Sequence, residues 1–389
     1  MGGWSSGKSL CPEKLYSGCR TLMEKYSRWS DLTTGINPFV PQRRRFTSGW
    51  PVTILQVISG SALALVRFPL VLVAFVALFL VNLVVSILAV IPFLGRLLKR
   101  ITEWLLCSLL LLLFGVFTSE ESANTRRLGL ATAKARSSNG STRVGSGDVL
   151  VCNYTSFLEI LYLATRFSPV FVFATETKSN DEGLVHVCGL LEALYRSLAM
   201  PVSVERVKPT RKIADVVRRA AGPVVVLPEG ARSNGKAVLK FIPVLQNLPV
   251  KTRVHLVAFR YEFKRFSPSQ SAGGAWSHLF WTAFHVYHTM RVTVLSAKDL
   301  NLDDLTPTKL PSNKSSKKQE NSKTLSTDQV EKLRTLLAAM LRTKTVDLGP
   351  EDSVSFNNYW KHVNSGGRQP ASQFTDRKAP HEHAQWAKR

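Results

Sequence analysis

Apolar positions along the 389 residues follow two kinds of pattern. Near the N-terminus they run almost unbroken. Between Arg45 and Arg96 the only charged residue is Arg67, and a second uncharged apolar run covers residues 104–117. From about residue 119 the apolar positions fall into short runs alternating with stretches of helical spacing. The run 224–227, bracketed by Pro223 and Pro228, predicts a buried strand because it is continuously apolar. Further strands are predicted over 148–153, 170–174, 202–205, 253–263 and 290–296, and helices over 156–167, 183–198, 211–221 and 276–288. That alternation predicts one layered α/β domain over 119–305. Residues 306–325 are rich in Ser, Lys, Asn and Thr and predict a disordered linker. Ser326 and Gln329 then form a capping-box signature that opens an amphipathic helical region, 326–363. Residues 364–389 predict a polar, flexible tail.

Ahead of the α/β domain, a polar and basic segment (1–50) leads into a membrane-embedded one (51–118). Residues 52–94 exceed the roughly 20 apolar residues of one simple span. Arg67 and Pro69 divide them into a short and a long arm, and both flanks are basic: Arg43, Arg44 and Arg45 before, Arg96, Lys99 and Arg100 after. Basic flanks favour the cytosolic side, so the expectation is a hairpin that enters and leaves on one face, bent near Arg67. The alternative is one tilted span followed by a surface helix. The run 104–117 is short for a span and suits an interfacial helix. With both flanks cytosolic, the α/β domain also faces the cytosol, at the endoplasmic reticulum membrane or a lipid droplet.

Charge and cysteine content narrow the classes. The net charge is +24, and 20% of residues are charged. The excess is spread over every segment instead of gathering on one stripe among stacking aromatics, which argues against nucleic acid and for anionic lipid headgroups. Cys11, Cys19, Cys107, Cys152 and Cys188 are odd in number and contain no C-x-x-C pair, so neither a zinc site nor a disulfide framework is expected. The stretch from Gly2 to Ser9 matches a phosphate-loop pattern letter for letter, but only Met1 precedes it, leaving no strand to aim the loop. Gly2 and Ser6 also fit an N-myristoylation pattern.

Two segments carry the candidate chemistry. Pro228-Glu229-Gly230-Ala231-Arg232-Ser233 follows the buried strand 224–227, at the strand end where α/β sheets place their ligands. Glycine permits positive φ, and arginine supplies a planar fork suited to phosphate. An arginine in such a loop is expected to be dispensable for folding. About 75 residues upstream, Asn153-Tyr154-Thr155-Ser156-Phe157-Leu158-Glu159 also ends a strand and opens a helix. Together these segments resemble the third and first motifs of the glycerolipid (lysophosphatidic acid) acyltransferase family, F-P-E-G-T-R-S and N-H-x-x-x-x-D. Within that family the likeness is to the fungal lysophosphatidic acid:oleoyl-CoA acyltransferase-like subgroup. Val204-Glu205-Arg206 is similar to the second motif, while the fourth, a proline-centred strand, has a counterpart at 255–259 without its proline.

The resemblance implies transfer of an acyl chain from acyl-CoA, as co-substrate, to a lysophospholipid, lysophosphatidic acid favoured, with no metal and no other cofactor. Arg206 and Arg232 would hold the acceptor phosphate, and Glu229 and Gly230 would shape its pocket. Tyr154 and Glu159 occupy the positions of the family's catalytic histidine and aspartate. Tyrosine there is a severe departure, because a phenol has a pKa near 10 against about 6.5 for imidazole. Either Glu159 is the base with Tyr154 as relay, or catalysis has been lost and a lipid-binding or scaffolding role remains. His278, His285 and His288 share a predicted helix face, where packing is the simpler role.

Overall fold

The computed structural model of the protein describes residues 25–42, 50–88, 92–130, 144–174, 184–199, 201, 211–249, 252–263, 266–300 and 324–367. The phosphate-loop and myristoylation patterns, Arg206 with the strand predicted over 202–205, and nearly all of the predicted linker and tail lie outside these residues.

Two helices come first, α1 (Trp50–Leu88) and α2 (Pro92–Leu113). Among the described residues α1 alone is long and apolar enough to cross a membrane. The bend expected near Arg67 is not there: α1 runs through both Arg67 and Pro69 without interruption. Proline removes one helical hydrogen bond. The arginine is satisfied without a bend, since its Nη1 donates to the carbonyls of His285 (3.2 Å) and Val286 (3.0 Å). The chain reverses instead between α1 and α2, and α2 returns alongside to bring Phe114 within 6.5 Å of Phe75. Helix α2 ends at Leu113, so Val116 and Phe117 are not its last turn; they open the first strand of the sheet, inside the segment assigned to the membrane.

The remaining elements are β1 (Val116–Ser122), β2 (Val149–Cys152), α3 (Phe157–Phe167), β3 (Val170–Ala174), β4 (Leu184–Cys188), α4 (Leu190–Leu198), β5 (Arg211–Lys212), α5 (Ile213–Arg219), β6 (Val224–Leu227), β7 (Ala237–Val238), β8 (Val254–Glu262), α6 (Ala275–Phe284), β9 (His288–Leu295), α7 (Thr327–Leu341), β10 (Lys344–Thr345) and α8 (Pro350–Asn364). Eight strands form one mixed sheet in the order β1-β9-β8-β2-β6-β3-β4-β5. Its centre is parallel: β2 pairs with both β6 and β8, Val151 standing opposite Val226 on one side and Leu256 on the other. The predicted helix 183–198 is half strand. Val185 and Val187 pair antiparallel with β3, and Gly189 caps the shorter α4.

Side-chain alternation feeds two cores. Leu150, Val225, Leu227, Phe171 and Val257 point to the face covered by α1, α2, α3 and α4. Val149, Val151, Val224, Val226 and Leu256 point to the other, where α7 supplies Leu333 and Leu337. A third cluster joins the N-terminal residues Tyr26, Trp29 and Phe39 to Phe356 and Tyr359 of α8. The two ends of the described chain therefore meet beside Ala231, next to the candidate chemistry.

Candidate functional site

The site lies at the carboxyl ends of β2 and β6. Asn153 directly follows β2 and substitutes for a ladder partner: its Nδ2 donates to the carbonyl of Phe259 (3.0 Å), and its Oδ1 accepts from the Phe259 N–H (2.7 Å). Ser156 caps α3, its hydroxyl accepting from the Leu158 N–H. Glu159 sits in the first turn of α3, and its carboxylate folds back onto the helix start. It accepts from the Thr155 N–H (2.9 Å) and from the Thr155 hydroxyl. A carboxylate there satisfies orphan donors and lies at the positive end of the helix.

The second turn locks onto the first. Glu229 is fully buried and bridges two segments, accepting from the Tyr154 N–H (3.1 Å) and the Leu239 N–H (3.2 Å). The Ser233 N–H donates to the Tyr154 carbonyl (3.0 Å). Gly230 has φ +63°, and a Cβ there would stand 2.6 Å from Ile242 Cδ1, so both conformation and space require glycine. Asn234 donates to the carbonyls of Asn37 (3.0 Å) and Val40 (2.9 Å), which straps the N-terminal segment to this turn.

Arg232 differs from the expectation of a dispensable loop arginine. It is 4% exposed. Its guanidinium donates to the carbonyls of Ser197 and Ala199 at the end of α4, and to Gln270 Oε1 (3.2 Å). The last carbonyls of a helix lack intrahelical partners and carry partial negative charge, so a buried cation caps them. Gln270 was not anticipated from the sequence. Its N–H donates to the Thr155 carbonyl (2.9 Å) and its Nε2 to the Leu198 carbonyl (3.3 Å), so it ties both turns to α4. The only hint is a polar run, 267–271, that turns out to be buried.

Tyr154, Glu159, Glu229 and Arg232 are thus assembled in one buried group, with half-buried Gly230 in the same turn as Glu229 and Arg232. The Tyr154 ring stands edge-on to Phe173 at 5.9 Å, and its hydroxyl makes no hydrogen bond to any described residue. Burial holds the phenol proton on more tightly than usual, with Arg232 opposing and Glu159 reinforcing that shift. Burial also raises the carboxyl of Glu159 to about 8 against the pull of its Thr155 hydrogen bonds. It raises Glu229 to about 8 against those from Leu239 and Tyr154. Near neutral pH neither the tyrosine nor most of the Glu159 population is an ionised base. Of the three histidines on the predicted helix face, His278 comes nearest. It is buried, its Nε2 is 3.0 Å from the Pro268 carbonyl, and burial followed by the charge of Arg232 depresses its pKa to about 3. His285 and His288 lie beyond the end of α6, and His288 begins β9.

Phe266 lies tilted against His278 at a centroid distance of 5.4 Å and stacks on His285 at 5.3 Å, and it lines a cavity of about 440 Å³ between α1 and α6. Val57, Gly60, Trp281, Phe284 and Val286 line that cavity.

No family model matches the chain, and no solved structure matches it. The chain is 25% identical over 240 residues to a fission yeast (Schizosaccharomyces pombe) protein named "Putative lysophosphatidic acid:oleoyl-CoA acyltransferase", covering 61% of this chain and 73% of that one. This relative and the two interlocked turns support one family resemblance, that to the glycerolipid acyltransferases.

Proposed function

We propose that the protein transfers a fatty acyl chain from acyl-CoA to a lysophospholipid, lysophosphatidic acid being the favoured acceptor, in glycerolipid synthesis. The observation that carries this reading is the interlock itself: Glu229 accepts from the Tyr154 N–H, so the two turns face one another at the ends of adjacent parallel strands. Glu159 acts as the base in its ionised form, and Tyr154 passes the proton from the acceptor hydroxyl. The oxygen then attacks the thioester carbonyl, and the thiolate of CoA leaves and takes up a proton. Arg232 and Arg206 attract the acceptor phosphate, and the cavity beside α6 gives the acyl chain an apolar seat. The relative's name supports acyl-CoA and lysophospholipid as substrates. The protein works at the endoplasmic reticulum or on lipid droplets, with the α/β domain in the cytosol. Full-length protein in detergent, given lysophosphatidic acid and oleoyl-CoA, is expected to release free CoA. Absence of turnover across a panel of lysophospholipids overturns the proposal.

A second reading is a catalytically inactive lipid-binding or scaffolding protein. What favours it is the proton inventory: Tyr154 replaces an imidazole, and Glu159 is engaged in capping α3. Under that reading Tyr154→Phe and Glu159→Gln leave cellular lipid composition unchanged. Under the first reading both variants shift it.

A further inference from the structure

A second cavity, of about 210 Å³, lies on the face of the sheet away from Tyr154. Tyr261 packs against the core that contains Tyr154, so Arg260 beside it points to the opposite face, the one covered by α7. Ala258 lies on that face too, and it pairs with Thr293 of β9. These small side chains, with Ala123 just after β1, leave the sheet low beneath the last turn of α7, where Met340 and Leu341 line the other wall.

Four arginines from four segments line this cavity: Arg127 after β1, Arg260 of β8, Arg291 of β9 and Arg342 at the end of α7. Glu121 is the acid among the lining residues. Arg291 pairs with Glu262 (2.8 Å) and with Glu121 (3.5 Å). The guanidinium groups of Arg127, Arg260 and Arg342 have no acidic partner among the described residues. With both glutamates set against the arginines, two positive charges remain. The strand register makes this arrangement costly. Arg260 stands directly opposite Arg291 across the antiparallel β8–β9 pair, which brings their Cβ atoms to within about 5 Å. Like charges so placed destabilise a sheet. The two glutamates answer only Arg291, and these side chains are about half exposed, so solvent weakens both bridges. At the end of α7 the carbonyls of Ala338 and Ala339 accept from the Thr343 (2.9 Å) and Arg342 (3.1 Å) N–H groups, which lessens the negative pole that a helix end otherwise presents.

We propose that this cavity binds a phosphate monoester, at a site separate from that of Tyr154 and Glu159. The planar fork of arginine matches phosphate oxygens, and a dianion balances the two charges left over. Seated between Arg260 and Arg291, it turns their repulsion into two charge-assisted contacts. The volume falls below the roughly 300–1,000 Å³ of ordinary small-molecule pockets. It therefore takes a headgroup-sized ester and not a nucleotide or a whole lipid. Such a group reaches the site free in solution or as the headgroup of a membrane lipid. The proposal does not depend on acyl transfer, so a chain that fails to release CoA can still pass the test.

The test uses full-length protein with Cys11 and Cys19 changed to Ser and a bimane fluorophore on Ala339→Cys, an exposed position that lines the cavity. In the first arm, in detergent, glycerol 3-phosphate is compared with sodium chloride at equal ionic strength. A saturable emission shift is expected with the ester alone, and Arg260→Gln should weaken the apparent affinity about ten- to a hundred-fold. That variant also removes the like charge facing Arg291, so its Tm without ligand should match or exceed the parent's. A lower Tm, a shift that chloride reproduces, or one that Arg260→Gln leaves unchanged overturns the proposal. The second arm places the labelled chain in phosphatidylcholine vesicles containing either phosphatidic acid or an equal surface charge of phosphatidylserine. An Arg260-dependent shift with phosphatidic acid alone supports the site and identifies a lipid headgroup as its ligand. A shift with the free ester and none with either vesicle supports the site and identifies a soluble one. Equal shifts with both lipids mark the general attraction of a basic surface and overturn the proposal, as does the lack of any shift in both arms.

Discussion

Tyr154 and Glu159 place the chemistry on a proton balance that can be read through pH. The Glu159 carboxyl, raised to about 8 by burial, is about one-tenth ionised at pH 7. If it is the base, kcat should climb about ten-fold per pH unit below 8 and level off above it. Glu159→Gln should remove both the activity and the slope. Tyr154→Phe should fold normally, because the hydroxyl has no partner among the described residues to lose and the ring keeps its contact with Phe173. A relay role predicts a fall in kcat of about 100-fold for that variant; unchanged turnover would remove Tyr154 from the reaction. Arg232 carries a different prediction because its guanidinium is buried against carbonyls. Arg232→Ala leaves the Ser197 and Ala199 carbonyls and Gln270 Oε1 without their donor, costing about 2–5 kcal/mol in denaturant unfolding. Arg232→Lys keeps the charge but loses the fork, and should fall between. A rise in KM for lysophosphatidic acid in Arg232→Lys, with stability little changed, would mark a phosphate clamp.

Elements position these residues, and Asn153 is where two strands depend on one side chain. Its amide makes both a donor and an acceptor bond to the backbone of Phe259, joining β2 to β8 at the mouth of the site. Asn153→Ala should cost about 2–3 kcal/mol, and Asn153→Asp should cost at least as much in the same unfolding titration, because a carboxylate oxygen would face the Phe259 carbonyl where the amide now donates and would bury a charge. The central strands were legible because their apolar runs are continuous and bounded by proline or by turn residues, as in Val224–Leu227. The peripheral strands were not. Leu184–Cys188 carries apolar residues that continue the helical spacing of α4, and only its pairing with β3 settles it as a strand. Arg211–Lys212 and Ala237–Val238 are too short to leave a periodic signal. The candidate site divides the same way. Tyr154, Glu159, Glu229, Gly230 and Arg232 sit in two contiguous turns whose spelling is visible. Gln270 and His278 arrive from a distant loop and helix, and no local pattern announces a contact between remote segments. The expected bend at Arg67 failed for a related reason, since the carbonyls that satisfy this arginine lie more than 200 residues away.

At the scale of the whole molecule, the two buried glutamates set a pH limit on folding. Glu159 ties the start of α3 to the β2 turn, and Glu229 ties that turn to the Leu239 segment, so both must stay in place for the cores to remain joined. Each carboxyl is raised in the folded chain to about 8, well above the ordinary value of 4.5 that applies when unfolded. Between those limits the folded state holds protons that the unfolded state has released. By linkage, stability then falls as pH rises. Their contribution is complete below about 4.5, declines through the interval, and is lost once pH passes about 8. The slope cannot exceed about 1.4 kcal/mol per pH unit for each group. Thermal unfolding of the full-length protein in detergent should therefore show Tm dropping from pH 6 to pH 8.5. Titrations elsewhere in the chain also move Tm, so the decisive comparison is with neutral isosteres. Glu159→Gln and Glu229→Gln should each flatten the decline, and the double variant should flatten it most. Parallel Tm curves for wild type and double variant would mean that both carboxylates are already ionised in the fold, and the base assigned to Glu159 would then be active well below pH 8.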